Sequence, residues 1–338
     1  MDVLSDVLTA TRVTGGVSGR LTARAPWGLH FDEGGAANFH ILVRGSCWLR
    51  RDGADPVLLQ EGDVTLLPSA GRYTAASDPD AVAEPFVRVL AGHDDARSVS
   101  VGGTGTETVI VCGVYDFAGD LGHPLLSALP RFVHLPAIAT RGGPVDTTAQ
   151  LVAAELDQPG PGGPQVTGHL LDVLLIYILR AWWQQNGDTS SGWFGALRDP
   201  EIGRALTLMH EAPGRRWTVE RLAHAVGLSR AAFARRFAVL AGEPPLAYLT
   251  RWRMTTAAIL LRDDNEPLSV IADRVGYESE FAFARTFRRV HGQPPGRYRT
   301  MARRTDPRSQ PSGQSAGQGA AVGPGAAVGP GAAVGPGG

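Results

Sequence analysis

The chain has 338 residues and a formal net charge of −1, long enough for two domains but too balanced to favour any partner by charge alone. Its 2 cysteines exclude a disulfide framework, so a reducing compartment is expected. Lysine is absent and the arginines are unevenly spread: residues 215–304 hold 17 Arg against 8 acidic residues, which marks that segment for a polyanion.

The amino-terminal "MDVLSDVLTATRV" lacks the basic flank and apolar core of a secretory leader, so the protein is expected in the cytoplasm. From about residue 18 to 136 short apolar runs such as "FHILV" and "VTLLP" alternate with Gly, Asp and Pro turns. That pattern predicts an all-β sandwich or barrel. A helix is expected over 142–158, broken by "QPGPGGPQ", and a second over 166–185. In the second, Leu171, Leu174, Leu175, Ile178 and Trp182 form one stripe, and Leu170, Val173, Tyr177 and Ala181 form another. Asp172 and Arg180 within it favour a packed helix over a membrane span. Its two apolar faces are both internal, or one of them meets a second subunit. "NGDTSSG" opens a linker over 186–199, helical patterns resume near Pro200, and the Gly-Pro-Ala repeats of 305–338 are expected to be disordered.

Inside the basic segment the sequence repeats itself. Leu222, Ala223 and Gly227 recur as Ile271, Ala272 and Gly276. After one extra turn residue, Phe233, Arg235, Phe237, Gly242 and Tyr248 recur as Phe283, Arg285, Phe287, Gly292 and Tyr298. Each copy reads as helix, Gly-closed turn, and a second helix opened by Ser229 or Ser279 as N-cap. The i,i+4 phenylalanines would face inward and the arginines outward, which makes two helix-turn-helix units. "LAYLTRWRMTTAAILL" would join them, and the "GQPPGRY" ending reads as a stop signal.

On these residues region 200–304 resembles the DNA-binding domain of AraC/XylS-type transcriptional regulators, with double-stranded DNA as the implied partner. The resemblance implies base contacts from Ala231, Ala234 and Arg235 in the first recognition helix, and from Glu280, Phe281, Ala284 and Arg285 in the second. Arginine suits the guanine edge and glutamate the cytosine amino group, whereas alanine reaches only a thymine methyl. Ser229, Arg230, Arg236, Ser279, Arg288 and Arg289 are expected at phosphates. A structural alternative pairs Arg235 or Arg285 with Glu220 or Asp273.

The segment 1–185 resembles the cupin-like sensory and dimerisation domains of one branch of that family, through "GDVTLLPSAGRY", "VCGVYDF" and "HPLLSALPRFVHLP". The fold class expected is therefore α+β and multidomain. His40 stands without the metal-binding partners of enzymatic cupins, and His93, His123 and His134 lack ligand spacing. No metal, cofactor or catalytic group is expected. Cys47 and Cys112 are ordinarily read as buried, inert thiols. Cys112 also matches the redox cysteine of oxidant-responsive relatives, which makes a thiol switch the alternative input. The expected function is a sequence-specific regulator, acting as a homodimer with RNA polymerase as a further partner. Its signal would be a small molecule or an oxidant. A cupin-type metalloenzyme with a helical appendage is the remaining alternative.

Overall fold

The computed structural model describes residues 3–11, 13–32, 37–68, 71–93, 97–117, 129–186 and 192–305. His123 and nearly all of the repeat tail lie outside them. Among the described residues the β-like patterns fold into two facing sheets. One runs β11 (Val133–Leu135), β6 (Val64–Leu67), β3 (Ala37–Arg44), β10 (Glu107–Phe117), β1 (Val13–Arg24), β9 (Ser98–Gly102). The other runs β5 (Val57–Gln60), β4 (Ser46–Arg51), β7 (Tyr73–Ala76), β2 (Gly28–Phe31), β8 (Glu84–Pro85). Pairings are antiparallel except β1 with β9 and β2 with β8.

Strand β3 explains why these runs are apolar on both faces. Side chains alternate across a strand. Ala37, Phe39 and Ile41 enter the core beneath the helices, while Leu42 enters the core between the sheets. The helical cover is α4 (Pro144–Asp157) and α5 (Gly163–Asn186), which follow the short α2 (Phe86–Ala91) and α3 (Ala137–Thr140). Helix α5 approaches β1 closely: a Cβ at Gly15 would fall 2.5 Å from Leu171 Cβ, so only glycine fits there. Tyr115 Oη donates to the Leu171 carbonyl at 2.9 Å across the same seam.

Helix α5 is long and apolar enough to cross a membrane, yet its Leu171, Leu174, Leu175 and Ile178 stripe is buried against the sheet. The second stripe is only half covered, with Val173 41% exposed. The two faces are therefore not equally internal.

The carboxy-terminal half is helical: α6 (Trp193–Arg198), α7 (Pro200–Glu211), α8 (Val219–Ala225), α9 (Arg230–Ala241), α10 (Pro245–Asp263), α11 (Leu268–Arg274), α12 (Glu280–His291) and α13 (Pro295–Thr305). The stretch expected as a linker differs from that reading. Residues 187–191 lie outside the described set, but 193–198 form α6, whose Trp193 and Phe194 are buried. Two aromatics in six residues are enough to anchor even a short helix. Helix α1 (Val3–Thr11) also lands away from its neighbours in sequence. Its Val3, Leu4 and Val7 are buried, and it packs on α7 and α10. One continuous apolar cluster thus joins the two halves.

Candidate nucleic-acid interface and the barrel interior

The two repeats fold alike because the same local signals close them. Gly227 (φ 74°) and Gly276 (φ 80°) take the left-handed conformation that stops α8 and α11. Ser229 Oγ then accepts from Ala232 N at 3.3 Å, and Ser279 Oγ from Ala282 N at 3.4 Å, opening α9 and α12. Both serines thus serve as the N-caps expected of them. Phe233, Phe237, Phe283 and Phe287 are fully buried, and each pair meets with ring centroids 5.6 Å and 5.7 Å apart. Tyr248 and Tyr298 close the units by packing edge-on against Phe237 and Phe287.

The Pro-Pro pairs act differently from the stop signal expected. Gly242 and Gly292 end the helices, while Pro245 and Pro295 occupy the first position of the next helix. Proline suits that position because its missing N–H has no intrahelical acceptor there.

A close backbone approach holds the units together. A Cβ on Gly276 would lie 2.7 Å from the Gly214 carbonyl oxygen. From α10, Arg253 donates to the carbonyls of Pro213 at 2.7 Å and Arg215 at 2.9 Å, and its guanidinium lies over the Tyr277 ring.

The outward faces of the two second helices differ in charge. Arg235, Arg285, Arg288 and Arg289 are exposed, with no ion pair or hydrogen bond among the described residues. The pairings of Arg235 or Arg285 with Glu220 or Asp273 do not form. Glu280 and Phe281 are exposed at the start of α12, Ala231 is exposed on α9, and Ala234 and Ala284 are half-buried. Two other arginines expected at phosphates are engaged within the protein. Arg230 pairs with Glu220. Arg236 donates from Nε (2.8 Å) and Nη2 (2.6 Å) to Asp199, and its Nη2 lies 3.1 Å from Glu201. Asp199 is also the N-cap of α7, accepting from Glu201 N and Ile202 N. The resumption of helix near Pro200 was visible in the sequence; the arginine that holds Asp199, 37 residues later, was not.

Between the sheets the interior is closed. His40 and Cys112 are register partners on β3 and β10, and His40 Nδ1 lies 3.2 Å from Cys112 Sγ. Its Nε2 lies 3.0 Å from Tyr73 Oη on the opposite sheet. Burial lowers the His40 pKa to about 4, so the ring is neutral and ties the sheets together by hydrogen bonds alone. Cys47 and Cys112 line one cavity here, with a free volume of only about 10 Å³, room for at most one water. Burial raises both thiol pKa values to about 12, which keeps them protonated.

The other histidines go elsewhere. His134 donates to Asp63 at 2.8 Å, while His93 Nδ1 lies 2.8 Å from the Val89 carbonyl and its Nε2 accepts from Ser100 N at 3.3 Å. Among the described residues no group of three or more His, Cys, Asp or Glu side chains is placed to hold a metal. Spaces of ligand size lie outside the sheets. One of about 500 Å³ is bounded by β1 glycines, Arg20, Leu156 and Leu171, and one of about 410 Å³ by Ile41, Arg141 and Asp146.

Sequence reasoning missed a buried polar cluster where α1 meets the helical half. His210 stacks on Trp252 at 3.8 Å, pairs with Tyr248 Oη at 2.7 Å, and has Asp6 3.4 Å from Nδ1. Burial, then the Arg251 guanidinium, lowers the His210 pKa to about 3. The apolar spacing of Val3, Leu4 and Val7 was the available signal for α1, but nothing local named its docking site.

Comparison with known proteins matches residues 2–184 to a cupin family and residues 222–301 to a helix-turn-helix domain family. A putative AraC-like transcription regulator of Streptomyces antibioticus is 37% identical over 83% of this chain and 93% of its own. The HTH-type transcriptional regulator AlkR of Acinetobacter baylyi is 30% identical over 83% of this chain and 94% of its own. The RCS-specific HTH-type transcriptional activator RclR of Escherichia coli is 27% identical over 91% and 100%. Likeness on this scale, spanning the cupin half and the paired helix-turn-helix units together, means that the chain belongs to the AraC-like transcriptional regulators.

Proposed function

We propose that this regulator reads promoter DNA with α9 and α12 as a cytoplasmic homodimer. Residues 1–185 would sense a small molecule and dimerise, and residues 200–304 would bind DNA. Base contacts are assigned to Ala231, Ala234, Arg235, Glu280, Phe281, Ala284 and Arg285, and phosphate contacts to Arg288 and Arg289. Recruitment of RNA polymerase completes the scheme, and the cupin half is assigned no catalysis.

The observation that carries this reading is the row of exposed, unpaired arginines on the outward faces of two helices built in register. Protonated, buried thiols and a closed interior favour a bound effector over an oxidant as the signal. The groove of about 500 Å³ between β1, α4 and α5 is the site assigned to that effector. It touches the helix whose second stripe is left for a partner subunit, so ligand and dimer would bias each other there.

Fluorescence anisotropy against pooled genomic fragments at several salt concentrations tests the DNA reading. A preferred sequence should emerge with affinity at least about 10³-fold above bulk DNA. Binding no tighter to any fragment than to competitor would end the specific-regulator reading.

A further inference from the structure

Among the described residues of the helical half, Phe281 is the most exposed large apolar side chain, with 79% of its surface exposed. It lies two residues before the buried Phe283, about 200° around the helix, and so on the opposite side of α12. Arg285 and Arg288 follow it at i+4 and i+7, extending one outward stripe, and both are exposed and unpaired among the described residues. No aromatic or cationic neighbour covers the Phe281 ring among the described residues. The first unit has nothing comparable, because Ala231 occupies the equivalent place.

A phenylalanine there makes no hydrogen bond to a base edge. In the major groove the apolar group that base pairs present is the thymine C5 methyl. Resting on the regulator reading above, we infer that Phe281 is a specificity-determining residue that selects a thymine by covering its methyl group. The helix rises about 6 Å from Phe281 to Arg285, which sets this thymine about two base-pair steps from the guanine that Arg285 reads. Helix α12, with glutamate, phenylalanine and arginine exposed, then carries most of the direct readout. Helix α9, with two alanines and its Arg236 engaged by Asp199, offers Arg235 as its one polar side chain for a base edge.

The test uses the full-length chain. Site selection from random duplexes first identifies the preferred sequence, and each thymine in it is then replaced by deoxyuridine, which removes only the methyl. Wild type should bind about four-fold more weakly at one such position, the equivalent of about 0.8 kcal/mol for one buried methyl. The same replacement should be neutral in Phe281→Ala and should still weaken Phe281→Leu, which keeps an apolar side chain. Because the ring is exposed, both variants should show wild-type circular dichroism and unfolding. Neutral deoxyuridine at every position in wild type would overturn the assignment, as would an undiminished loss in Phe281→Ala. Failure to select any sequence would overturn the regulator reading and this assignment together.

Discussion

Arg236 and Arg288 are both arginines on second helices of the repeat, yet the structure gives them opposite surroundings. Arg236 is held by Asp199, whose side chain is only 11% exposed, and by Glu201. Arg288 is exposed with no partner among the described residues. Replacing Arg236 by alanine removes a charge-assisted contact while leaving Asp199 its two capping bonds to α7. A stability loss of about 1–2 kcal/mol is expected, since the partly exposed guanidinium limits the gain from pairing. Because that charge already has partners, the dependence of DNA affinity on salt should not change.

Arg288→Ala should do the reverse, leaving unfolding in urea untouched while lowering the slope of log K against log salt by about 0.9. Between 0.05 and 0.2 M salt, that variant should lose about three- to four-fold less affinity than wild type loses. Anisotropy titrations over this range, paired with urea unfolding, read both quantities on the same preparations. If Arg236→Ala flattened the salt slope as much as Arg288→Ala, the Asp199 bridge would have to open on DNA. The assignment of Arg236 to an ion pair within the protein would then be refuted.

Phe287 is fully buried, so Phe287→Ala should cost about 3–5 kcal/mol in urea unfolding and abolish DNA binding at 37 °C; a loss under 1 kcal/mol would contradict its core position. Gly276→Ala places a side chain at φ 80° and against the Gly214 carbonyl, so it should lower stability by at least about 1–2 kcal/mol, whereas alanine at the exposed Gly296, which meets nothing within 4 Å, should not. His40 is neutral when folded, with a pKa lowered to about 4 from 6.5. Above pH 6.5 both folded and unfolded forms are neutral there; as pH falls toward 4 the unfolded chain alone takes up the proton, and stability drops. That window is worth about 3 kcal/mol. His210 adds a similar trend, so the check is comparative: His40→Gln should lose less stability than wild type between pH 7 and pH 4.5, and identical curves would exclude a neutral buried ring.

The helix-turn-helix repeat was legible in the sequence because its determinants are local. Glycine stops, serine caps and i,i+4 phenylalanines each act within about a dozen residues, and the second copy repeated the message. The short apolar runs of the strands and the main stripe of α5 were legible for the same reason. Short-range signals did not reach the places where distant segments meet. The segment 193–198 looked like part of a linker until Trp193 and Phe194 found a core, and α1 gave no hint that it would rest on α7 and α10. Arg236 was indistinguishable from a phosphate anchor until the fold brought Asp199 beside it.

The same holds for Cys47, Cys112 and His40. Residue type permitted a metal site, a redox pair or plain core, and strand register decided among the arrangements by placing His40 opposite Cys112 and closing the space around them. Periodicity and caps are properties of one segment, so amino-acid order settles them directly. Which charge is neutralised, which cavity stays open and which thiol sees solvent depend on pairings across 33 to 72 residues, and only the packed chain supplies those.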